Sequence, residues 1–357
     1  MTADFLIIGG GIAGISAAAS LAQHGAVTLL EGEPQLAYHA SGRSAAMYEP
    51  NYGPAPIKTL SHASAAALRS LGVLSPRGFL LVARPDQETE FRAEIAKLDL
   101  METTIADACA WFPALNPEKL GFAAKGEMAL DIDTDMLIQI YLRQAREQGA
   151  QILTSQPVIG IAREGGIWTA ETTGGDFRGR TLINAAGAWA DPVARMAEIA
   201  TLNIIPHRRS MARIPAPEGM DPARWPMLHG IGTNSEWYAK PDAGALIVSP
   251  SEADPTEPHD AWADDMILAE GLARYEAMTR FPITRMLANW AGLRSFAPDG
   301  SPVYGRDPDQ PDFVWYAGQG GYGFQSAPGG AAFLADLLIG RPVDPVLAAA
   351  VSPARFR

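Results

Sequence analysis

At 357 residues the chain is long enough to bury two cores, and a composition of 47% hydrophobic and 19% charged residues is that of an ordinary globular protein. A net charge of −12 argues against nucleic acid as a partner, because phosphate backbones are held by surplus lysine and arginine. The single cysteine, Cys109, rules out an internal disulfide, and no apolar run approaches the roughly 20 residues that cross a bilayer.

The first predicted element is residues 5–8, an unbroken apolar run of the kind buried on both faces of a parallel sheet. Gly9, Gly11 and Gly14 follow as G-x-G-x-x-G, and a small-residue helix is expected over 15–24. In that context the glycines allow a tight turn, close approach of a pyrophosphate, and close packing of helix on strand. Residues 27–30 are a second strand ending at Glu31, where a carboxylate can accept hydrogen bonds from the ribose of an adenine dinucleotide. A βαβ unit whose glycines serve packing alone is the minor reading given this full context. The first strand begins by residue 5, so no leader is expected and the expected location is cytoplasmic, with membrane association at most peripheral.

Residues 33–47 form a polar loop containing Ser41, Gly42, Arg43 and Ser44. Its hydroxyls, N–H groups and guanidinium suit a second contact with dinucleotide phosphates, or equally a surface loop capping the next helix. Residues 48–56 are irregular. A helix is then expected over 57–71, a strand over 78–83, a charged helix over 87–99 and a helical turn over 107–112. Asp131, Asp133 and Asp135 open like a calcium loop, but Met136 and Leu142 stand where that loop requires glycine and glutamate. Asp133 or Thr134 instead reads as the N-cap of a helix running to Gln148.

Strands are expected over 151–154, 158–161 and 167–172, with a turn at Gly174 and Gly175. Residues 181–191 again run from an apolar strand through a small-residue turn into a helix, which implies that the nucleotide domain resumes here after an insertion. Residues 204–214 carry Arg208 and Arg209 between apolar flanks. Residues 237–249 read as a hairpin with its turn at 241–244. The Pro- and Trp-rich segment before it and residues 251–260 read as loops, and 268–281 as an amphipathic helix. Residues 313–325 give a strand and a glycine-dense turn, followed by a helix over 327–338. Three strand–glycine–helix turns spread along the chain favour FAD over a compact NAD half-site. His24, His62, His207, His229 and His259 show no metal-ligand spacing, so no metal is expected.

Gly9 to Gly14 with Glu31, and residues 39–46, 184–189, 290–295 and 319–325, together resemble the D-amino acid oxidase/glycine oxidase class of FAD-dependent oxidoreductases. Within that class the pattern is most similar to D-arginine dehydrogenase-type D-amino acid dehydrogenases. The resemblance implies an α/β architecture: a Rossmann-like FAD-binding domain assembled from 1–75, 134–203 and 293–357, and an α+β substrate domain on an antiparallel sheet from 76–133 and 204–292. It implies FAD contacts at Gly9, Gly11, Ile12, Ala13, Gly14, Glu31, Gly32, Ala40, Ser41, Gly42, Arg43, Ser44, Ala45, Ala46 and Met47. Further contacts are implied at Val158, Ala186, Gly187, Trp189, Gly292, Gly320, Gly321, Tyr322, Gly323, Phe324 and Gln325.

The same resemblance places Tyr52, Arg209, Tyr238, Arg294 and Gly321 around an amino acid substrate. Physically, arginine presents a fork of donors that fits a carboxylate bidentately, and a tyrosine hydroxyl adds another. Phe79 stands where D-arginine-type enzymes carry a glutamate, and Met47 where they carry a histidine. A benzyl group cannot compensate a buried guanidinium, so neutral or apolar D-amino acids are expected rather than D-Arg or D-Lys. His39 is favoured as a cofactor-loop residue over a general base, and Cys109 lies in no attachment motif, so FAD is expected to be non-covalent. The expected activity is oxidative deamination of D-amino acids to 2-oxo acids and ammonia. A glycine/sarcosine-type amine oxidase, a 2-hydroxy acid dehydrogenase and a flavin-binding regulatory protein are the competing readings. Nothing in the sequence specifies the electron acceptor or the oligomeric state.

Overall fold

The apolar run near the N-terminus forms the strand Thr2–Ile8 in the computed structural model, which describes residues 2–232 and 236–357. Its parallel neighbours are Val27–Leu30 on one side and Gly175–Asn184 on the other. Gln151–Leu153 and Phe313–Ala317 extend the parallel run at its two ends. The central positions Leu6, Ile7, Leu29, Leu182 and Ile183 are fully buried, as expected where both faces of a sheet are covered. Ile15 of helix Ile12–Leu21, Leu137 of helix Thr134–Glu147 and Leu334 of helix Gly323–Leu338 pack with Ile7, Ile183 and Val314 into one core. On the other side, Leu182, Phe313 and Trp315 pack with Trp168, Val193 and Ala194. An antiparallel pair, Val158–Glu164 and Ile167–Thr172, pairs with the first half of Gly175–Asn184.

A second, nine-stranded sheet stands against this unit. Its spine is Ile205–Pro215, paired along most of its length with Ala288–Phe296. The hairpin strands Trp237–Asp242 and Ala245–Ser249 join it, followed by Met227–Gly230, Phe79–Ala83 and Phe122–Gly126. One face carries Leu80, Val82, Ala212, Leu228, Ala239 and Val248 into a core with helix Asp265–Ala277 and the segment around Phe112. Side chains alternate across a strand, so Phe79, Arg209, Tyr238 and Arg294 project from the opposite face. A small three-stranded sheet links Met47–Tyr48, Leu130–Ile132 and Leu74–Pro76.

Several expectations shift. The substrate sheet is mixed rather than purely antiparallel, because Met227–Gly230 runs parallel to Phe79–Ala83. That strand lies in the segment read as loop: four residues between Pro226 and Ile231 give no periodicity to detect. The first glycine-turn helix begins at Ile12 rather than residue 15, with Gly14 already inside it. The last one begins at Gly323 rather than residue 327, with Pro328 inside it. Pro328 forfeits a single backbone bond, and in the first helical turn glycine loses little because those N–H groups have no helical partner anyway. Strand Ala288–Phe296 spans the division expected at residue 293, so Arg294 belongs to the substrate sheet by pairing. Asp133 is the N-cap, accepting from the Met136 N–H at 2.8 Å.

The tightest approach in the first unit is at Gly14, where an added Cβ would lie 1.9 Å from the Gly9 carbonyl oxygen. Gly14→Ala must therefore push the helix off the strand, and is expected to destabilise the protein by about 1–3 kcal/mol. A lowered midpoint in urea unfolding checks this; an unchanged midpoint would contradict it.

Candidate active site

A cavity of about 440 Å³ lies between the two sheets. Its first end is the glycine turn. Gly9 has φ +109°, a conformation L side chains rarely adopt, and an added Cβ there would lie 2.5 Å from the Ala185 carbonyl oxygen. Helix Ile12–Leu21 then points its N-terminus at the cavity, with the Ile12 N–H donating to Ser41 Oγ at 3.0 Å. Helix N-termini present unsatisfied N–H groups and positive dipole, which suits phosphate. Glu31 accepts from the Gly10 N–H at 2.7 Å and from the Glu33 N–H at 2.8 Å. Those bonds fix its carboxylate at the cavity wall while leaving further lone pairs for ribose hydroxyls. The donor set fits an adenine dinucleotide.

Of the expected cofactor residues, Gly9, Gly11, Ile12, Ala13, Glu31, Gly32, Ala40, Ser41 and Arg43 to Met47 line the cavity. So do Val158, Ala186, Gly187, Trp189, Gly292, Gly320, Gly321, Gly323, Phe324 and Gln325. Gly14, Gly42 and Tyr322 do not; an added Cβ at Gly42 would lie 2.4 Å from the Ala37 carbonyl oxygen, so it serves the loop's own packing. Two residues that line the cavity have their polar groups engaged elsewhere. Arg43, expected at the phosphates, donates to the carbonyls of Tyr38, Ala261 and Ala291 and pairs with Asp260. It braces the loop against the substrate sheet. Gln325 bridges the Glu49 N–H and the Tyr52 carbonyl, both at 3.1 Å. His39 is held by Glu33 at 2.9 Å and lies against Trp189, so it sits in the loop as a structural partner.

Arg209, Tyr238, Arg294 and Gly321 meet at the other end. Arg209 lies opposite Gly292, and Arg294 opposite His207, so the two arginines are diagonal neighbours on one face. Arg208, one residue away and on the other face, has acidic partners in Asp254 and Asp264 at 3.5 and 3.6 Å. Arg209 has none among the described residues, and its Nε is buried without a hydrogen bond. Burial and then the Arg294 charge pull Arg209 below the ordinary arginine value, and Tyr238, Tyr52 and, more weakly, the Glu252 carboxylate oppose them. Gly321 packs against the second guanidinium: an added Cβ would lie 3.1 Å from Arg294 Cζ.

Tyr52 and Phe79, expected at the substrate, lie just outside the cavity wall. Phe79 packs with Leu81, Phe91 and Ala129 behind Met47 and Tyr52. Tyr52 stacks edge-on against Tyr322, with ring centroids 5.2 Å apart. Burial, then Tyr52, raises Tyr322 to about 12, against the opposing pull of Arg294 and Arg209. Tyr322 thus belongs with the arginine cluster rather than with the dinucleotide turn. Two residues escaped the sequence reading. Lys240, two positions beyond Tyr238 and so on the same face, donates to the carbonyls of Ala45 and Ala46 at 3.3 and 3.2 Å and pairs with Asp131 at 3.0 Å. His229, the strand partner of Tyr238, was considered only as a metal ligand. The i+2 spacing from Tyr238 could have flagged Lys240. No group of three metal-ligating side chains occurs among the described residues, and no described helix is long and apolar enough to cross a membrane.

Gly321→Ala is expected to displace Arg294, leave the dinucleotide end in place and weaken binding of a carboxylate at least about tenfold, the loss of a charge-assisted hydrogen bond. Titration with a small carboxylate checks this; unchanged affinity would show that Arg294 has room to move.

The DAO family model, FAD dependent oxidoreductase, matches residues 4–337. The hydrogen cyanide synthase subunit HcnC of Pseudomonas aeruginosa is 32% identical over 175 residues, covering 47% of this chain and 39% of its own length. The bifunctional protein ThiO/ThiG of Nostoc sp. PCC 7120 is 26% identical over 369 residues, covering 97% of this chain and 54% of its own. The chain thus spans about half or less of the length of these relatives. Glycine oxidase from Geobacillus kaustophilus shares the fold, with a TM-score of 0.85, 21% identity and 99% of each chain covered. A family match over nearly the whole length, on a fold whose glycine turn, Glu31 and cavity suit a dinucleotide, makes this chain a member of the DAO family of FAD-dependent oxidoreductases.

Proposed function

We propose that this flavoenzyme oxidatively deaminates D-amino acids with neutral side chains, giving a 2-oxo acid and ammonia. The observation that carries the reading is the pair of guanidinium groups, Arg209 and Arg294, turned into the cavity without a carboxylate partner among the described residues. A fold does not leave two like charges side by side in a low-dielectric site without cost, and a substrate carboxylate removes it. The D-configuration rests on the resemblance of residues 39–46 and 290–295 to D-amino acid dehydrogenases.

Bound FAD supplies a ring that accepts two electrons as a hydride. The protein's part is placement. Arg209 and Arg294 fix the carboxylate, and Tyr238 adds a hydroxyl from the neighbouring wall. Held at that end, the amino acid has its Cα directed to one side of the cavity, which turns hydride loss into a matter of orientation. The substrate gives up a hydride from Cα and a proton from nitrogen, and water then hydrolyses the imino acid. Met47 and, behind it, Phe79 supply an apolar surface for the side chain. Asp131, the nearby acid, is already shared by Lys240 and Arg77. That arrangement supports neutral over cationic side chains.

Glycine and sarcosine would use the same carboxylate clamp, and the fold shared with a glycine oxidase favours testing them. Anaerobic mixing with D- and L-amino acids, glycine, sarcosine and D-lactate separates the readings. Neutral D-amino acids are expected to bleach the visible flavin band fastest; bleaching by sarcosine or D-lactate alone would overturn the proposal. Arg294→Met is expected to lower kcat/KM at least about 30-fold, because it leaves a desolvated carboxylate half-paired. Steady-state kinetics with D-Leu check this, with flavin content read from the same sample.

A further inference from the structure

His229 lies directly opposite Tyr238 in the pairing of Met227–Gly230 with Trp237–Asp242, so both side chains leave the same face of the sheet. On its other side it pairs with Leu81, and its ring lies 5.7 Å from that of Phe79, the residue expected to meet the substrate side chain. It therefore stands where the wall of the arginine end passes into the side-chain pocket. Its ring nitrogens make no hydrogen bond among the described residues, yet neither is among the fully enclosed polar atoms that lack a partner. The residue is half-buried and stands just outside the lining of the cavity of about 440 Å³, beside Tyr238, which does line it. The rest of this corner, Met47, Tyr52 and Phe79, is apolar or aromatic.

We infer that His229 reads the far end of the substrate, and that the side chain it selects is neutral and hydrogen-bonding, of the amide or hydroxyl class, in preference to a purely aliphatic one. This rests on the proposed amino acid substrate and narrows it. Burial, followed by the charges of Arg209 and Lys97, pushes the imidazole down to about 4. At neutral pH it therefore offers one donor and one acceptor and no charge. A site with such groups turned inward discriminates against a ligand that leaves them unmatched, which is the stronger form of selectivity available to a pocket. A cationic side chain would meet the field of Arg209 at close range.

Two carboxylates of equal length test the point without requiring turnover: succinamate, which ends in an amide, and 4-methylpentanoate, which ends in an isopropyl group. Each is titrated into the FAD-loaded enzyme and read from the perturbed flavin absorbance. Succinamate is expected to bind about fivefold tighter or better, the worth of one neutral hydrogen bond. His229→Leu, or His229→Phe if the first does not fold, is expected to erase or reverse that ratio, and His229→Gln to retain it. Equal affinities in the unsubstituted enzyme, or an unchanged ratio in His229→Leu, would overturn the inference. Because neither compound can be deaminated, a panel in which no amino acid bleaches the flavin would sink the substrate proposal and leave this result standing on its own.

Discussion

The constraint on which the site depends is the register between Ile205–Pro215 and Ala288–Phe296. Nine consecutive pairings, from Ile205 opposite Phe296 to Arg213 opposite Ala288, lock the two strands without a slip. Because side-chain direction alternates every residue, that register alone decides that Arg209 and Arg294 emerge on one face and Arg208 on the other. On the outer face the charge is matched by Asp254 and Asp264. On the inner face two guanidinium groups repel each other across a diagonal. The ladder imposes that arrangement, and on the proposed function a substrate carboxylate would complete it.

The cofactor end and the substrate end are joined through one loop. Ser41 receives the Ile12 N–H at the glycine turn, while Arg43, two residues on, binds carbonyls of Ala261 and Ala291 on the substrate side. Trp290 returns the contact by donating to the Arg43 carbonyl, and Lys240 holds the carbonyls of Ala45 and Ala46. The segment that shapes the dinucleotide wall is thus fastened at several points to the sheet that carries the arginines. A displacement of either sheet must pass through this loop, so cofactor and substrate geometry are set together rather than separately.

What could be read in advance follows the range of the interactions. The glycine turn, Glu31 and the Asp133 cap were legible because each is decided within a few residues: a strand, a tight turn and a capping oxygen at fixed spacing. The family pattern supplied Arg209 and Arg294, but not their lack of partners, which depends on the sheet register. Arg43 illustrates the limit. A guanidinium in a hydroxyl-rich loop looks like a phosphate ligand, and only partners more than 200 residues away in sequence reveal it as a brace. His229 and Lys240 were missed for the same reason, since neither carries a motif and both acquire meaning from neighbours across strands. The start of the last helix failed differently: glycines and Pro328 read as turn, although Gly323 sits in the first turn, where missing bonds cost little, and Pro328, in the second, forfeits one backbone bond.

The proposed preference for neutral side chains would be built deeper than the two positions that signal it. Replacing Phe79 by an acid would place a carboxylate in a cluster with Leu81, Phe91 and Ala129, where its own desolvation opposes ionisation. Asp131 is closer to hand, as the strand partner of Met47. Yet its Oδ2 is held by Arg77, which in turn binds the carbonyls of Ala223 and Trp225, and its Oδ1, though without a hydrogen bond, is ion-paired with Lys240 at 3.0 Å. Drawing Asp131 towards a cationic substrate would strand Lys240, buried and holding the cofactor loop, with only two carbonyls to satisfy it. Losing one partner of a buried pair costs more than a single surface-type ion pair returns. On the proposed function, side-chain selectivity and cofactor placement would be tied through one aspartate, and a change of substrate class would require rebuilding the fastening of the loop as well as the pocket wall.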